Sequence, residues 1–201
     1  SARAKENFAI TNQRIHKQMI KGLATVKRAA AFANMKAGLI EIPIADAMML
    51  ACDEIINGRM HNQFITDMIQ GGAGTSVHMN VNEVIANRAS EILGGQKGTY
   101  DIVHPIDHVN FGQSTNDVVP TAGKIATIRL TKKLVIELKR LHRAYLDKAN
   151  TYIETVKMGR THLQDAVPIS VGQEFGAFAE ALQRDISRIA SALEELTFIN
   201  M

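Results

Sequence analysis

Three short polar clusters carry the side chains that could do chemistry in this chain. They are QGGAGTS at residues 70–76, GQSTND at residues 112–117 and GRTHLQD at residues 159–165. Each cluster combines glycine with hydroxyl, amide or imidazole groups, which are hydrogen-bond donors that could hold a small anion. The candidate ligand-binding residues are Thr75, Ser76, Ser114, Thr115, Asn116, Thr161 and His162.

The first cluster lacks the residues of a nucleotide-binding loop. A Walker A loop ends in lysine followed by serine or threonine, whereas Gly74 is followed by Thr75 and Ser76. A dinucleotide-binding loop needs a preceding strand and a third spaced glycine, and the sequence offers neither. Two interpretations stay open. One is a small-anion site, and the other is a turn after which Asn80 and Glu83 form a capping box and start a helix.

The second and third clusters lie at the boundaries of predicted helices. A helix start needs one capping residue, but four polar residues run from Ser114 to Asp117. The surplus predicts bound negative charge at the positive end of the helix, with an over-polar helix start as the alternative. His162 offers an acid/base group or an anion ligand, although a lone histidine in a loop is more often an ordinary surface residue.

The remaining histidines do not predict a metal site. His104 and His108 are four residues apart, but Pro105 argues against a helix that would aim both rings at one ion. The single cysteine, Cys52, cannot form a zinc cluster or an intrachain disulfide. We therefore expect no metal centre.

The composition excludes several classes of protein. Of the 201 residues, 46% are hydrophobic and 21% are charged, which are ordinary values for a globular protein with a sizeable core. The 23 basic and 20 acidic residues are interspersed, so the net charge of +3 predicts no nucleic-acid-binding face. No apolar stretch reaches the roughly eighteen residues of a membrane span. The lone cysteine, and a start (SARAKENFAI) unlike a signal peptide, favour a cytoplasmic protein.

Helical patterns dominate the elements that must position the clusters. We predict helices over residues 23–36 and 44–56, and a long helix over residues 124–158, which contain neither glycine nor proline. Residues 94–120, rich in glycine, asparagine and proline, predict loop. A heptad-like pattern predicts a last helix, typical of a bundle, that continues to the end of the chain. Its apolar residues are Phe175, Ala179, Leu182, Ile186, Ile189, Leu193 and Leu196.

These elements predict a mainly α fold in two parts. We place a domain boundary near Gly112, where the loop-rich part ends and the long helices begin. Residues 1–112 would form a helical N-terminal domain, and residues 113–201 would supply long helices of a bundle.

Three long blocks resemble those of the aspartase/fumarase superfamily. They are QGGAGTSVHMNVNEVIAN, DHVNFGQSTNDVVPTA and KMGRTHLQDAVPISVGQEF, and RAKENFAI resembles the N-terminal block of that family. The resemblance covers essentially the whole chain. The details GAGTSV, Ser-Thr-Asn-Asp and DAVP are more similar to aspartate ammonia-lyases, whereas THLQDA and NRASEILGG are more similar to class II fumarases.

The resemblance implies a helical subunit of three domains. The central long-helix bundles of four subunits would join in a homotetramer with composite active sites. The reaction implied is the reversible, cofactor-free elimination of ammonia from L-aspartate to give fumarate. Hydrogen-bond donors would stabilise the aci-carboxylate that forms when a base removes the Cβ proton. Matched by position, Thr75, Ser76, Ser114, Thr115, Asn116, Thr161 and His162 would bind the substrate, and His162 would act as acid/base or carboxylate binder.

Two departures from the family pattern change what the resemblance implies. A secondary anion site would use His104 and Asp107, but Ile106 replaces the hydrogen-bonding asparagine of the family's His-Pro-Asn-Asp loop. The mobile GSSxMPxKxNP loop, which bears the catalytic serine base, does not occur here. We therefore expect this chain to hold an N-terminal domain and part of a central domain, without the C-terminal domain, and to be inactive alone.

Two other functions stay open. A class II fumarase would add water instead of ammonia to fumarate and would act on malate. A non-catalytic helical oligomerisation module would use the heptad-like pattern alone, but it would have no need of the three polar clusters.

Overall fold

The computed structural model describes residues 1–7 and 9–199, and over these residues the fold is mainly α, as predicted. The antiparallel hairpin of Val156–Thr161 and Gln164–Ser170 is the one sheet in these residues. The elements in chain order are α1 (Ala2–Asn7), α2 (Lys17–Lys36), α3 (Ile42–Ile56), a 3-10 turn (His61–Gln63), α4 (Thr75–Ile92), a π-helical turn (Pro105–Val109), α5 (Thr115–Thr151), β1 (Val156–Thr161), β2 (Gln164–Ser170) and α6 (Val171–Glu195).

The chain divides into two compact units. Among the described residues, the first comprises residues 1–7, 9–127 and 198–199, and the second comprises residues 128–197. The domain boundary near Gly112 stays a prediction. None of the helices in residues 1–7 and 9–199 has the length and apolarity needed to cross a membrane.

Helices α2, α3 and α4 form the core of the first unit. Apolar residues recur on α2 at spacings of three and four, which puts them on one face of the helix. The buried side chains of this core include Ile20, Leu23, Ala24, Met48, Cys52, Ile55, Val77, Val81 and Ile85. The helices predicted over residues 23–36 and 44–56 are confirmed, and both begin earlier than the prediction.

A close approach of α2 to α5 places the start of α5 in the first unit. A Cβ atom on Gly22 would lie 2.4 Å from the carbonyl oxygen of Ala122. Only glycine lets the two backbones come this near without displacing one of them. The position of the second polar cluster, at the start of α5, therefore depends on this contact.

The long helix is confirmed, but its predicted bounds are wrong. Helix α5 begins at Thr115 and contains Pro120, which the prediction assigned to loop. Proline has no N–H to donate to the carbonyl four residues earlier, which belongs to Asn116, an exposed residue near the start of the helix. The helix ends at Thr151, and Val156 already lies in a strand.

The second unit joins the rest of α5 to the hairpin and α6. Ser170 and Gln173 form a capping box that starts α6. Phe175 and Phe178 of α6 pack against Tyr145 of α5, with ring centroids 6.2 and 5.8 Å away. The last helix is confirmed but ends at Glu195, and Met201, to which it was predicted to run, lies outside the described residues.

Candidate functional site

The starts of α4 and α5 meet within the first unit. The Nδ1 atom of His78, in the first turn of α4, lies 2.7 Å from the Oγ1 atom of Thr115, the first residue of α5. A Cβ atom on Gly74 would lie 3.2 Å from a methyl group of Val119. The structure therefore brings the first two polar clusters together.

Helix α4 begins at Thr75, so the predicted capping box at Asn80 and Glu83 is wrong. Asn80 is buried inside the helix, where its side chain accepts a hydrogen bond from the Ile65 amide (2.9 Å) and donates one to the Gln63 carbonyl (3.0 Å). The side chain thus satisfies backbone groups of the preceding loop, which would otherwise be buried without partners.

The first turn of α4 is capped by the side chain of Gln70 rather than by Gly74. Gly74 precedes the helix with a φ of 88°, a left-handed conformation that favours glycine, and it has no side chain to cap the helix. Thr75 is exposed and Ser76 is half-buried. The Val77 amide already donates to Gln70 Oε1 at 3.0 Å, and the His78 amide donates to the Gly74 carbonyl at 3.1 Å. The hydroxyls and amides of Thr75 and Ser76 are therefore the groups of this turn that are placed to meet a ligand.

In the second cluster, Ser114 caps helix α5, and Thr115 and Asn116 lie at the junction with α4. The Oγ atom of Ser114 accepts a hydrogen bond from the Asn116 amide at 3.2 Å, which is how a capping residue starts a helix. Thr115 contacts His78, and the side chain of Asn116 is exposed. The Asp117 amide donates to the Ser114 carbonyl at 3.2 Å, and Asp117 also adds a carboxylate to this turn. The positive partial charge of the two helix starts favours an anion and is opposed in part by that carboxylate.

A buried polar network lies behind this junction. The Nζ atom of Lys27, a residue of α2 with 0% exposure, donates to Asn110 Oδ1 at 2.9 Å and to Gln113 Oε1 at 3.0 Å. Burial lowers the pKa of Lys27 from 10.5 to about 7, although the neighbouring Cys52 thiol opposes part of this change. The network anchors the loop that leads into α5.

His78 is neutral at neutral pH. It is 2% exposed, and this burial, together with the charge of Lys27, lowers its pKa from 6.5 to about 4, with the Asn110 side chain offsetting part of the change. Its Nε2 atom is buried and has no hydrogen-bond partner among the described residues.

Sequence reasoning missed Lys27, His78, Asn110 and Gln113, although Lys27 carried a signal. Lys27 lies four residues after Leu23 on the apolar face of α2. A lysine at a core position is rarely buried without polar partners, so this spacing could have identified the network. Nothing in the spacing of Asn110 and Gln113 distinguishes them from loop residues.

The third cluster forms the hairpin of the second unit, where a loop was predicted. Thr161 ends β1, and a two-residue turn of His162 and Leu163 follows with φ angles of 46° and 62°. Both angles are positive, as a tight hairpin turn of type I′ requires. Arg160 and Asp165, which pair across the strands, also form an ion pair. Thr161 and His162 are exposed.

A bulge shapes this hairpin. The strand register shifts between Met158 and Arg160, and a Cβ atom on Gly159 would lie 2.7 Å from the Val167 carbonyl oxygen. The glycine therefore permits the close pairing that presents His162 at the tip.

His104 and Asp107 contact each other. The Nδ1 atom of His104 lies 2.9 Å from Asp107 Oδ2 and accepts a hydrogen bond from the Asp107 amide at 3.2 Å. A carboxylate at this position repels a second anion, and the side chain of Ile106 is exposed and apolar. Within the residues that the structure describes, no group of three metal-binding side chains occurs.

The chain is similar to a family of lyases and to proteins named aspartate ammonia-lyase. A family model described as lyase matches residues 1–200. The aspartate ammonia-lyase of Bacillus subtilis (strain 168) is 52% identical over 199 residues, which are 99% of this chain and 42% of the relative. The chain thus spans about two fifths of the length of the curated relatives it matches.

Two solved structures share the fold. The fumarate lyase:delta crystallin of Brucella melitensis, in native form, matches with a TM-score of 0.93 and 44% identity, over 100% of this chain and 47% of that one. A class II fumarase from Schistosoma mansoni matches with a TM-score of 0.90 and 38% identity, over 98% of this chain and 42% of that one.

Proposed function

The chain belongs to the lyase family, and from this premise we propose that the protein carrying it is an aspartate ammonia-lyase. The reaction is the reversible elimination of ammonia from L-aspartate to give fumarate, without a cofactor. The observation that carries the proposal is the junction of the α4 and α5 starts, which gathers neutral hydrogen-bond donors for a carboxylate. The similarity to relatives named aspartate ammonia-lyase supports the choice of substrate.

The donors at the junction fit the charge that this reaction develops. A base removes the Cβ proton, and the electron pair is held as a doubly charged aci-carboxylate until the Cα–N bond breaks and ammonia leaves. Each well-placed donor lowers the free energy of that state by about 3 kcal/mol. We assign this role to Thr75, Ser76, Ser114, Thr115 and Asn116.

The rest of the site comes from other parts of the protein in this proposal. Thr161 and His162 bind the substrate from the hairpin tip, and His162 acts as a carboxylate binder. The serine base belongs to a segment that this chain does not contain, so the chain alone is inactive. Fumarate formed from aspartate by the isolated 201-residue chain would refute this part.

A homotetramer joined through the central helices completes the proposed enzyme. Large apolar side chains of the second unit are exposed, namely Leu134, Ile136, Leu141 and Phe178. Exposed apolar surface of this kind is typical of helices that pack against another subunit. Light scattering on the full-length protein measures its mass directly, and a monomer would contradict the proposal. The buried free thiol of Cys52 supports a reducing, cytoplasmic location.

A class II fumarase is the second candidate, since one such enzyme has a closely similar fold. The two reactions share fumarate and differ in the nucleophile that adds to it. The non-catalytic module is disfavoured by the polar groups at the α4–α5 junction.

An assay of the full-length protein separates the candidates. L-Aspartate or malate is supplied, and fumarate is followed by its ultraviolet absorbance. We expect turnover of aspartate, and turnover of malate alone would overturn the proposal. Thr115→Val should lower kcat/KM about a hundredfold, because one donor is lost. Thr99→Val, at an exposed loop position, is the matched control and should leave kcat/KM unchanged.

A further inference from the structure

The hydrogen bond between His78 and Thr115 has two possible directions. A neutral imidazole carries one hydrogen, on Nδ1 or on Nε2. If Nδ1 carries it, the ring donates to Thr115 Oγ1 across the observed 2.7 Å, and the hydroxyl hydrogen is free. If Nε2 carries it, Nδ1 must accept the hydroxyl hydrogen, and Thr115 can then only accept from a ligand. The tautomer of His78 therefore decides whether Thr115 suits an anion or an ammonium group.

The environment of Nε2 favours the first tautomer. This atom is buried and has no hydrogen-bond partner in the described part of the chain. The Asn110 oxygen Oδ1 accepts from Lys27 and has a second lone pair, but no polar atom of Asn110 lies in hydrogen-bonding geometry with Nε2. A hydrogen on Nε2 would be an unpaired buried donor, which folded proteins rarely contain. A bare nitrogen is the less costly state at this atom.

The position of Thr115 keeps its hydroxyl hydrogen available. Threonine inside a helix often donates to the carbonyl four residues earlier, as Thr151 does to Asp147 at 2.7 Å. Thr115 is the first residue of α5, so no carbonyl within its own helix competes for the hydrogen. Its hydroxyl can therefore accept from His78 and donate to a ligand at the same time.

We propose that His78 is a positioning residue for the proposed reaction, whose Nδ1–H donates to Thr115 Oγ1 and turns the threonine hydroxyl into a donor toward a substrate carboxylate. The identity of the substrate in this inference rests on the proposed function. It adds a residue that touches no substrate and acts through Thr115.

The hydrogen positions test the inference without any assay of activity. Neutron diffraction from crystals of the deuterated full-length protein locates deuterium on each ring nitrogen of His78. We expect deuterium on Nδ1 and none on Nε2. A bare Nδ1, or deuterium on both nitrogens, overturns the proposal.

Fumarate binding tests whether His78 acts through Thr115. Calorimetry on the full-length protein should show that His78→Leu weakens the Kd for fumarate about tenfold, the effect of losing one hydrogen bond. His78→Asn retains an amide N–H near the Nδ1 position and should stay within about threefold of the wild type. In a Thr115→Val background, His78→Leu should change the Kd by less than about twofold, because the two residues act in series. An equal loss in both backgrounds overturns the proposal.

The two proposals fail in different ways. A protein that does not turn over aspartate, but shows this coupling for fumarate, would refute the proposed function alone. Full turnover of aspartate with independent effects of His78→Leu and Thr115→Val would refute the role of His78 alone. Absence of fumarate binding by the wild type would refute both.

Discussion

The buried lysine behind the α4–α5 junction makes stability depend on pH in a predictable direction. An unfolded chain keeps the Lys27 proton up to a pKa of 10.5, whereas the folded protein loses it near 7. Between these values the unfolded chain binds more protons, so the free energy of unfolding rises with pH. Holding the cation in the folded protein costs about 4–5 kcal/mol below pH 7. From pH 7 to pH 9 about 2 kcal/mol of that cost should disappear.

Lys27→Met removes this pH dependence. The variant also leaves Asn110 Oδ1 and Gln113 Oε1 without a donor, which costs about 1–3 kcal/mol each. The stability difference at a single pH therefore mixes opposing effects, and its change with pH is the informative quantity. Relative to the variant, the wild type should gain about 2 kcal/mol between pH 7 and pH 9.

Urea unfolding of both proteins at several pH values measures this change. The comparison stops at pH 9, because burial raises the pKa of Cys52 to about 12 in the folded protein, whereas the thiol of the unfolded chain titrates around pH 9.0. Lys17→Met, at an exposed position of the same helix, is the matched control and should show the pH dependence of the wild type. A stability difference between wild type and Lys27→Met that stays constant from pH 7 to pH 9 would refute the reasoning.

Three further variants test other parts of the account. Gly22→Ala would put a Cβ atom 2.4 Å from a carbonyl oxygen of α5 and should cost about 1–3 kcal/mol in thermal unfolding. Gly123→Ala, where a Cβ meets nothing within 4 Å, should be neutral or stabilising, and equal effects of the two would contradict the close approach. Burial alone would raise the pKa of Asp67, but hydrogen bonds from the Ile69 amide, the Thr11 hydroxyl and the amides of Thr11 and Asn12 lower it to about 2. The stabilisation of the fold by the Asp67 carboxylate is therefore full above pH 3.8 and is lost as the pH falls through 2. Asp67→Asn removes the carboxylate that accepts from the amides of residues 10–12, and hydrogen exchange of these amides should become faster. Unchanged exchange would refute that role. Asparagine tolerates the left-handed conformation of residue 162, so His162→Asn should keep the hairpin turn. If His162 binds a substrate carboxylate, the variant should lower kcat/KM less than tenfold. A decrease of kcat/KM by a factor of about 10²–10⁴ would mean that His162 transfers a proton.

The fold could be predicted from the sequence where one apolar pattern decided the structure. The apolar residues predicted for α6 lie on the face that the structure buries in part, since Ala179 and Ile186 are buried and the others are half-buried. The bounds of α5 could not be predicted, because Pro120 suggests a helix boundary by itself. Its place in the helix depends on contacts of the helix start with α2, which lies far away in the sequence.

The hairpin and the buried network escaped prediction for similar reasons. The turn residues His162 and Leu163 are not the Asn-Gly or Asp-Gly pairs that usually signal a two-residue turn. The seven candidate ligand-binding residues were predicted from local composition and family resemblance, and their role in binding stays a prediction. His78 and Lys27 were not found, because their importance comes from partners in distant segments.

Addition to fumarate tests the central claim most directly. The full-length protein is incubated with fumarate and ammonium, and the products are separated and identified by chromatography. The proposed ammonia-lyase should form L-aspartate, because ammonia is the nucleophile that its site accepts. Formation of malate without aspartate would contradict the claim and would identify the protein as a fumarase.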